Sequence, residues 1–282
     1  MAEGVEQYEV FALRLASADR PARDTFLEPG QRSGRIGIDF SCWLIRGGGR
    51  RIVVDTGFNE RSGTARGRRL SAGPATALRR LGVAADDVEQ VVISHLHYDH
   101  AGNLGDFGSA RYVLQERELA YAAGPCMCDA GANHYFEVDD VAAVLWRSYA
   151  GRVDFVDGST EIAPGVEVHR IGGHTPGLQV VRVRTERGWV VLASDAAHYY
   201  DNLAERNPFP SLVDLDEMLA GYDRIAELAD SADHIVPGHD PAVFVRYPTP
   251  SDEGRLISGA ESDGAAAVVS LHLPPVREPG GV

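Results

Sequence analysis

Four side chains that commonly bind transition metals lie within six consecutive positions of the sequence. They are His95, His97, Asp99 and His100, and they directly follow the apolar segment Gln90–Ser94. Residues two apart in an extended chain point the same way, so His95 and His97 can reach one metal ion together. Asp99 and His100 lie where the chain should turn into a helix, so their side chains diverge toward a second metal nearby.

Bringing these groups together is costly unless they bind something. Imidazole and carboxylate are preferred ligands of zinc, and they also suit iron, manganese and cobalt. Without a cation, desolvation and mutual repulsion would destabilise the cluster. A single histidine after a strand is more often a surface or core residue, but the H-x-H-x-D-H pattern predicts a metal site.

Further ligands should come from distant segments that meet this cluster. Three candidates each come shortly after a strand-like run: His174 after Val166–Ile171, Asp195 after Trp189–Ala193, and His239 after His234–Val236. Glycines before His174 and His239 let the backbone turn sharply. A carboxylate offers two oxygens, so Asp195 is suited to bridge two metals.

The order of elements favours two half-domains, each with a sheet and outer helices. Strand-like runs comprise Tyr8–Leu15, Phe40–Ile45, Arg51–Asp55, Gln90–Ser94, Arg111–Leu114, Val153–Val156, Val166–Ile171, Leu178–Thr185, Trp189–Ala193 and His234–Val236. Helical patterns comprise Pro74–Leu81, Glu116–Ala123, Val138–Tyr149 and Leu215–Leu228. We expect one hydrolase domain over residues 1–248, followed by a C-terminal extension (249–282) that packs loosely or is partly disordered, because it is rich in small and polar residues.

Composition excludes several classes of function. The formal net charge is −14, which disfavours binding to phosphate backbones and to anionic membrane surfaces. No secretory signal and no long apolar run is present, so we expect a soluble, cytoplasmic protein. Cys42, Cys126 and Cys128 are too few for a disulfide framework and are interpreted as reduced thiols.

The motifs, taken in order, resemble those of the metallo-β-lactamase superfamily. Beside H-x-H-x-D-H they include Val-Asp-Thr-Gly (54–57), Gly-His-Thr-Pro-Gly (173–177), Ser-Asp-Ala (194–196) and Pro-Gly-His-Asp (237–240). The resemblance spans roughly Tyr8 to Tyr247 and implies an αββα sandwich with metals in a cleft at one edge of the two sheets. It implies a metal-one set of His95, His97 and His174, a metal-two set of Asp99, His100 and His239, a bridging Asp195, and a supporting role for Asp55.

Within the superfamily the chain most resembles the N-acyl homoserine lactonase group, which acts in quorum quenching. Tyr98 between the ligands and the Asp-Thr-Gly turn contribute to this match. Characterised lactonases carry a tyrosine three residues after the bridging aspartate, whereas this chain carries His198, followed by Tyr199 and Tyr200. Either His198 donates the same hydrogen bond or the pocket serves another substrate.

These features predict a hydrolase that carries two zinc ions, with iron, manganese or cobalt as alternatives. Two metals that share a hydroxide provide a nucleophile at neutral pH, which we expect to attack a lactone or ester carbonyl. Asp99, Asp195 and His198 are the expected catalytic residues, with His198 a donor to the oxyanion. The expected partner is a small-molecule substrate, and a homodimer is left open.

The alternative function is hydrolysis of a thioester, as in glyoxalase II, or of another small ester or ring. A di-iron redox function is disfavoured because redox members of the superfamily generally place glutamate where His97 stands and carry a flavin domain. A nuclease function is disfavoured by the negative charge, and a non-catalytic metal-binding role by the complete ligand set.

Two further segments have open interpretations. Arginines at 61, 66, 68 and 69 follow the Asp-Thr-Gly turn and are expected to form a solvated surface, although they could bind an acidic group of a substrate. The stretch containing Tyr121, Cys126, Met127, Cys128, His134, Tyr135 and Phe136 is expected to pack in the core, with a wall of an apolar pocket as the alternative. His169 and His234 are expected to be structural.

Overall fold

A computed structural model describes residues 6–250 and 267–276 of the chain. Within that part, the strands are β1 Glu9–Pro21, β2 Arg35–Gly47, β3 Arg50–Val54, β4 Gln90–Val92, β5 Arg111–Gln115, β6 Val153–Val156, β7 Ser159–Ala163, β8 Val166–Arg170, β9 Gln179–Thr185, β10 Gly188–Ser194, β11 Ile235–Pro237 and β12 Val268–Ser270. The α-helices are α1 Glu60–Ala65, α2 Pro74–Arg79, α3 Tyr98–Ala101, α4 Glu116–Ala122, α5 Ala130–Asn133, α6 Val138–Tyr149, α7 Tyr200–Ala204, α8 Leu215–Leu228 and α9 Val243–Arg246.

The strands of the described residues form two sheets. The larger has the order β12-β1-β2-β3-β4-β5-β6, and the smaller has the order β11-β10-β9-β8-β7. Pairing is parallel from β3 through β6 and antiparallel from β12 to β3. In the smaller sheet only the β10–β11 pair is parallel among the described strands.

Alternation along the strands explains why the two sheets stack. In β2, Trp43 and Ile45 belong to the buried cluster between the sheets, whereas Leu44 belongs to the cluster on the outer face. In β10, Val190 likewise faces the other sheet and Val191 faces outward. Both faces of each sheet are therefore apolar, and each outer face needs a covering layer.

Amphipathic helices provide that covering layer. Val141 and Val144 of α6 pack into the cluster on the outer face of the larger sheet. Met218, Tyr222 and Ile225 of α8 pack on the outer face of the smaller one. The predicted αββα sandwich is thus confirmed. No helix of residues 6–250 and 267–276 is both long and apolar enough to cross a membrane.

The C-terminal part of the chain differs from expectation where the structure describes it. Residues 267–276 do not pack loosely, because β12 pairs antiparallel with Phe11–Leu13 of β1. Val268, Val269 and Leu271 are buried there, and a β-branched apolar run on a sheet edge accounts for this order. The remainder of the predicted extension, residues 251–266 and 277–282, lies outside the described residues.

Candidate active site

The predicted site residues all lie just beyond the ends of strands. The H-x-H-x-D-H segment follows β4 and runs into α3, which begins at Tyr98 with His97 as its N-cap residue. Asp195 directly follows β10, and His239 follows β11 after one residue. Because β10 and β11 are parallel neighbours, their carboxyl ends meet at the same edge of the sheet.

Two glycines are required where the chain approaches the cluster. Gly173 has a φ of +80°, and a Cβ there would lie 2.6 Å from the backbone nitrogen of Met218. Gly238 approaches β10 so closely that a Cβ would lie 2.7 Å from the carbonyl oxygen of Ser194. Only glycine fits at these two positions, Gly173 because of its positive φ and close contact and Gly238 because of its close contact. The two turns place His174 and His239 beside the cluster, as the sequence predicted.

The first group of side chains consists of His95, His97, His174 and Asp195, whose ligating atoms lie within 4.8 Å of one another. His174 Nε2 lies 2.9 Å from His97 Nδ1 and 3.2 Å from His95 Nε2. Asp195 Oδ2 lies 3.2 Å from His174 Nε2 and 3.8 Å from His95 Nε2. Tetrahedral ligands at about 2.0–2.1 Å from zinc stand about 3.3 Å apart, so this spacing suits one ion.

The second group consists of Asp99, His100 and His239, and it faces the other oxygen of Asp195. Asp195 Oδ1 lies 3.1 Å from His100 Nε2 and 2.9 Å from His239 Nε2. Asp99 Oδ1 lies 3.9 Å from His100 Nε2. The two carboxylate oxygens of Asp195 therefore face two different groups of side chains.

Backbone carbonyls orient two of the imidazole rings. His174 Nδ1 donates to the carbonyl oxygen of Ser211 at 2.5 Å, and His239 Nδ1 donates to that of Asp39 at 2.7 Å. A carbonyl oxygen can only accept, so the Nδ1 proton is fixed in both rings. Their Nε2 lone pairs are turned toward the centre of the cluster, which is the arrangement that metal ligation needs.

Asp55 connects the cluster to the larger sheet. It is fully buried and has a φ of 60°, a conformation that costs free energy for a residue other than glycine. Its carboxylate accepts from Ser94 N at 2.7 Å, Ser94 Oγ at 2.8 Å, His100 Nδ1 at 2.8 Å and Ser194 Oγ at 3.1 Å. The strained residue is thus held by four hydrogen bonds that join both halves of the site.

The electrostatic environment is that of a site arranged for a cation. Burial lowers the pKa of His95 and of His97 well below 6.5, so both rings are neutral. Burial acts in the same direction on His100 and His239, but the Asp195 carboxylate overcomes it and raises the pKa of both. Burial disfavours the charge of Asp195, yet the surrounding imidazoles hold its pKa well below 3.8. A divalent cation would replace those protons as the compensating charge.

Unpartnered polar atoms support the fit of a divalent metal. His100 Nε2 and Asp195 Oδ1 are buried and have no hydrogen-bond partner among the described residues. They lie 3.1 Å apart, but their geometry is not that of a hydrogen bond. Each such group costs about 1–3 kcal/mol if nothing binds it. The donor set of imidazoles and carboxylates fits zinc, iron, manganese or cobalt.

Glu118 is a supporting residue that the sequence did not reveal. It is fully buried in α4 and accepts from Leu96 N at 2.8 Å, Thr175 Oγ1 at 2.6 Å and Gly177 N at 3.2 Å. It therefore ties the loop of His95 and His97 to the loop of His174. A glutamate in an amphipathic helix carries no sequence signal of this kind.

His198 lies at the cluster itself. Its Nε2 is 3.1 Å from Asp195 Oδ2, and its ring stacks on Phe209 with centroids 3.7 Å apart and planes 2° apart. Burial lowers the pKa of His198 to about 3, so the ring is neutral. Tyr199 donates its hydroxyl to a backbone carbonyl, and Tyr200 is partly buried against the apolar cluster between the sheets. Neither tyrosine lines the cavity at the cluster, whereas His198 does. Of these three residues, only His198 is therefore placed to contact a substrate in this cavity.

A cavity of about 360 Å³ opens onto the cluster. Six of the histidine and aspartate residues line its floor: His97, Asp99, His174, Asp195, His198 and His239. Its walls include Arg20, Ile38, Arg66, Arg68, Tyr98, His134, Tyr135, Phe209 and Ser211. Arg20, Phe209 and Ser211 had no sequence signal, because they come from a strand end and a long connection.

The two segments with open interpretations divide between the cavities and the surface. His134 and Tyr135 line this cavity, Tyr121 and Phe136 line an adjoining one of about 250 Å³, and Cys126 and Cys128 are exposed. The expectation of core packing is therefore wrong for Cys126, Cys128, His134 and Tyr135, which are exposed, whereas Phe136 packs against the apolar cluster on the outer face of the larger sheet. Arg66 and Arg68 line the main cavity, whereas Arg61 and Arg69 are exposed, so a solvated surface describes only the latter pair.

Two other histidines lie apart from the cluster, as expected of structural residues. His169 Nδ1 lies 2.8 Å from Ser159 Oγ on the neighbouring strand β7, and Nε2 of His234 donates to the carbonyl oxygen of Arg187 at 2.8 Å. Both contacts join neighbouring segments of the smaller sheet.

Known proteins resemble this chain over most of its length. The family described as "Metallo-beta-lactamase superfamily" matches residues 40–240. An N-acyl homoserine lactonase of Bacillus cereus is 29% identical over 238 residues, covering 79% of this chain and 88% of the relative. The N-acyl homoserine lactonase AiiB of Agrobacterium fabrum is 30% identical over 249 residues, with the same coverage of both chains.

A solved structure shares the fold. A quorum-quenching N-acyl homoserine lactone lactonase superposes with a TM-score of 0.70 at 23% sequence identity, covering 83% of this chain and 92% of that one. At this identity the similarity concerns the arrangement of strands and helices.

Proposed function

This chain belongs to the metallo-β-lactamase superfamily and is a metal-dependent hydrolase, and we propose that it binds two zinc ions and opens a lactone or an ester. N-acyl homoserine lactones are the first substrates to test, because the relatives' names carry that substrate. Thioesters and other small esters are the alternative substrates.

The observation that carries the proposal is the position of Asp195 between two groups of ligands. Its Oδ2 faces His174 at 3.2 Å and its Oδ1 faces His239 at 2.9 Å. A carboxylate in that position can hold two ions side by side. His95, His97 and His174 would hold the first ion, Asp99, His100 and His239 the second, and Asp195 both.

Two divalent ions held there would supply a water molecule activated at neutral pH and would polarise the substrate carbonyl. The protein's own groups then have defined tasks. Asp195 would hold both ions and is placed to accept a proton at a carboxylate oxygen. Asp99 faces the cavity beside it. The residues of the cavity walls would orient the substrate over the cluster.

His198 is the proposed donor to the oxygen that gains charge during the reaction. Its Nε2 is the ring nitrogen nearest to the cluster, at 3.1 Å from Asp195 Oδ2. Its Nδ1 is buried and has no partner among the described residues. Stacking on Phe209 fixes the ring plane, so a Nε2 proton can be shared between Asp195 and the substrate oxygen without movement of the ring.

The test combines metal analysis with a substrate panel. The zinc-loaded protein is assayed by proton release against N-acyl homoserine lactones, simple γ- and δ-lactones, aryl esters and thioesters. We expect two zinc ions per chain and turnover of lactones or esters. Asp195→Asn should lose at least one ion and on the order of a hundredfold or more in kcat, because both groups lose a shared ligand.

Asp216→Asn is the matched control, since Asp216 is an exposed aspartate of α8 that belongs to neither group of ligand atoms. It should keep both ions and full activity. If Asp195→Asn also kept both ions and full activity, the bridging role would be wrong. If only thioesters were turned over, the proposed metal site would stand and the substrates would belong to the alternative class.

A further inference from the structure

The cavity above the cluster has a cationic wall. Arg20 at the end of β1, and Arg66 and Arg68 in the turn after α1, all line it. The turn is anchored because Arg68 N donates to the carbonyl oxygen of Gly63 at 2.7 Å. Three guanidinium groups around one cavity contrast with the net charge of −14 of the whole chain.

Two of these arginines have no acidic partner among the described residues. Arg66 pairs with Glu137 and donates to the carbonyl oxygen of His134 at 3.0 Å. Arg20 and Arg68 make no ion pair and no side-chain hydrogen bond within residues 6–250 and 267–276, and Arg20 Nε is buried without a partner. Burial, with Arg20 and Arg66 nearby, lowers the pKa of Arg68 although Asp99 opposes this shift.

Aromatic rings hold the two arginines beside the cluster. The guanidinium carbon of Arg20 lies 4.4 Å from the ring centroid of Phe209, and that of Arg68 lies 4.6 Å from the centroid of Phe40. Phe209 stacks on His198, and Phe40 meets His239 edge to face at 5.4 Å. Each guanidinium is thus one aromatic ring away from a residue of the cluster.

This arrangement leaves the N–H edges of both guanidiniums free. Stacking on an aromatic face fixes the plane of a guanidinium and leaves its hydrogen-bond donors available to a planar anion. Keeping partly buried charges without an ion-pair partner is costly, whereas the neighbouring Arg66 is paired with Glu137.

We propose that the substrate is an anionic lactone or ester, whose carboxylate or phosphate group binds between Arg20 and Arg68 while its reacting carbonyl lies over the cluster. This assignment rests on the hydrolase function proposed above and narrows its substrate class. A neutral acyl chain would leave both guanidiniums unpartnered, whereas an oxyanion would accept charge-assisted hydrogen bonds from them.

The test compares one lactone ring with three substituents on the metal-loaded enzyme. A γ-butyrolactone bears a carboxylate, the neutral carboxamide of the same shape, or a phosphomonoester. We expect kcat/KM for one of the anionic lactones to exceed that for the carboxamide by about tenfold or more, mostly through KM, since one charge-assisted hydrogen bond is worth that factor. The anionic lactone that is preferred identifies the oxyanion.

Variants assign the effect to the two arginines. Arg68→Gln and Arg20→Gln should each reduce turnover of the preferred anionic lactone about tenfold more than turnover of the carboxamide. Arg69→Gln is the matched control, because it removes the same charge from an exposed residue of the same turn and should leave the ratio unchanged. Arg68→Lys, which keeps the charge, covers the case in which a Gln variant fails to fold.

A binding measurement separates the two proposals. Calorimetric titration with cyclopentanecarboxylate, cyclopentyl phosphate and cyclopentanecarboxamide needs no turnover. Arg68-dependent binding of an anion without hydrolysis of any lactone would support the anion site and contradict the lactonase function. Lactone turnover with equal rates for neutral and anionic rings in the wild-type enzyme would keep the function and overturn the anion site.

Discussion

Replacing Asp55 with asparagine tests how the fold controls the metal site without replacing a proposed ligand. In the wild-type protein, His100 Nδ1 donates to Asp55 Oδ2 at 2.8 Å, and Ser94 N donates to Asp55 Oδ1 at 2.7 Å. The backbone N–H of Ser94 cannot change its role, so the amide oxygen of the asparagine must stay beside it. The amide NH2 would then face His100 Nδ1, which must become an acceptor.

The consequence for metal binding follows from the tautomer of His100. If Nδ1 accepts, the proton moves to Nε2, which lies 3.1 Å from Asp195 and faces the proposed second ion. A protonated Nε2 has no lone pair for a metal. We expect an affinity for the second ion lowered about 10–100-fold, and a loss of about 1.5–3 kcal/mol in the metal-free protein from the lost hydrogen bond to a charged group.

The assay measures both quantities separately. Metal content is determined by elemental analysis after dialysis against a zinc buffer of defined free concentration, and the free energy of unfolding by urea titration with chelator present. Asp216→Asn serves again as the control that keeps both ions. An Asp55→Asn protein that binds two ions with wild-type affinity would refute the proposed dependence of the second ion on the His100 tautomer.

Two further predictions concern a glycine beside the cluster and a buried carboxyl group of α6. Gly173→Ala should lower the free energy of unfolding by about 2–4 kcal/mol and displace His174, because the residue has a positive φ and the added Cβ would meet the backbone of Met218. Gly49→Ala is the control: its φ is +77° but no atom lies within 4 Å of the added Cβ, so it should cost about 1 kcal/mol. Equal costs for the two variants in urea titrations would contradict this reasoning. Burial raises the pKa of Asp140 to about 7, so its penalty is absent below pH 3.8, grows as the pH rises toward 7 and is complete above it. Asp140→Asn should therefore be more stable than wild type by about 1–2 kcal/mol at pH 8, after discounting for residual solvent screening, and by less at pH 5. A stability difference in urea titrations that does not change with pH would contradict a raised pKa of Asp140.

The sequence was sufficient to predict the parts of the site that lie in short, dense motifs. His95, His97, Asp99 and His100 lie within one turn of chain, so alternation and the start of α3 determine where they point. Asp195 was predictable from its position after a buried strand. The long helices α6 and α8 have the bounds that their apolar periodicity predicts, Val138–Tyr149 and Leu215–Leu228.

Other parts of the fold and the site could not be predicted from the sequence, because their role arises only from tertiary contacts. Arg20 lies at the end of a strand that is longer than predicted, and Phe209 lies in the connection before α8, so no local pattern links them to the cluster. Strand β7 was missed because its first three residues are exposed and polar. The absence of nucleic-acid binding remains a prediction, and a homodimer remains open.

The strain in the backbone and the unpartnered atoms of the cluster have one physical explanation. Asp55 and Ser194 both adopt positive φ, 60° and 45°, at the ends of strands in opposite sheets, and their side chains hydrogen-bond to each other at 3.1 Å. This contact joins the two sheets directly beneath the cluster, where His100 Nε2 and Asp195 Oδ1 lack partners among the described residues. The metal-free protein must maintain strain and unsatisfied groups together. Ions that bind only the folded chain offset both costs, so metal binding and folding are coupled, and the melting temperature should rise with free zinc concentration.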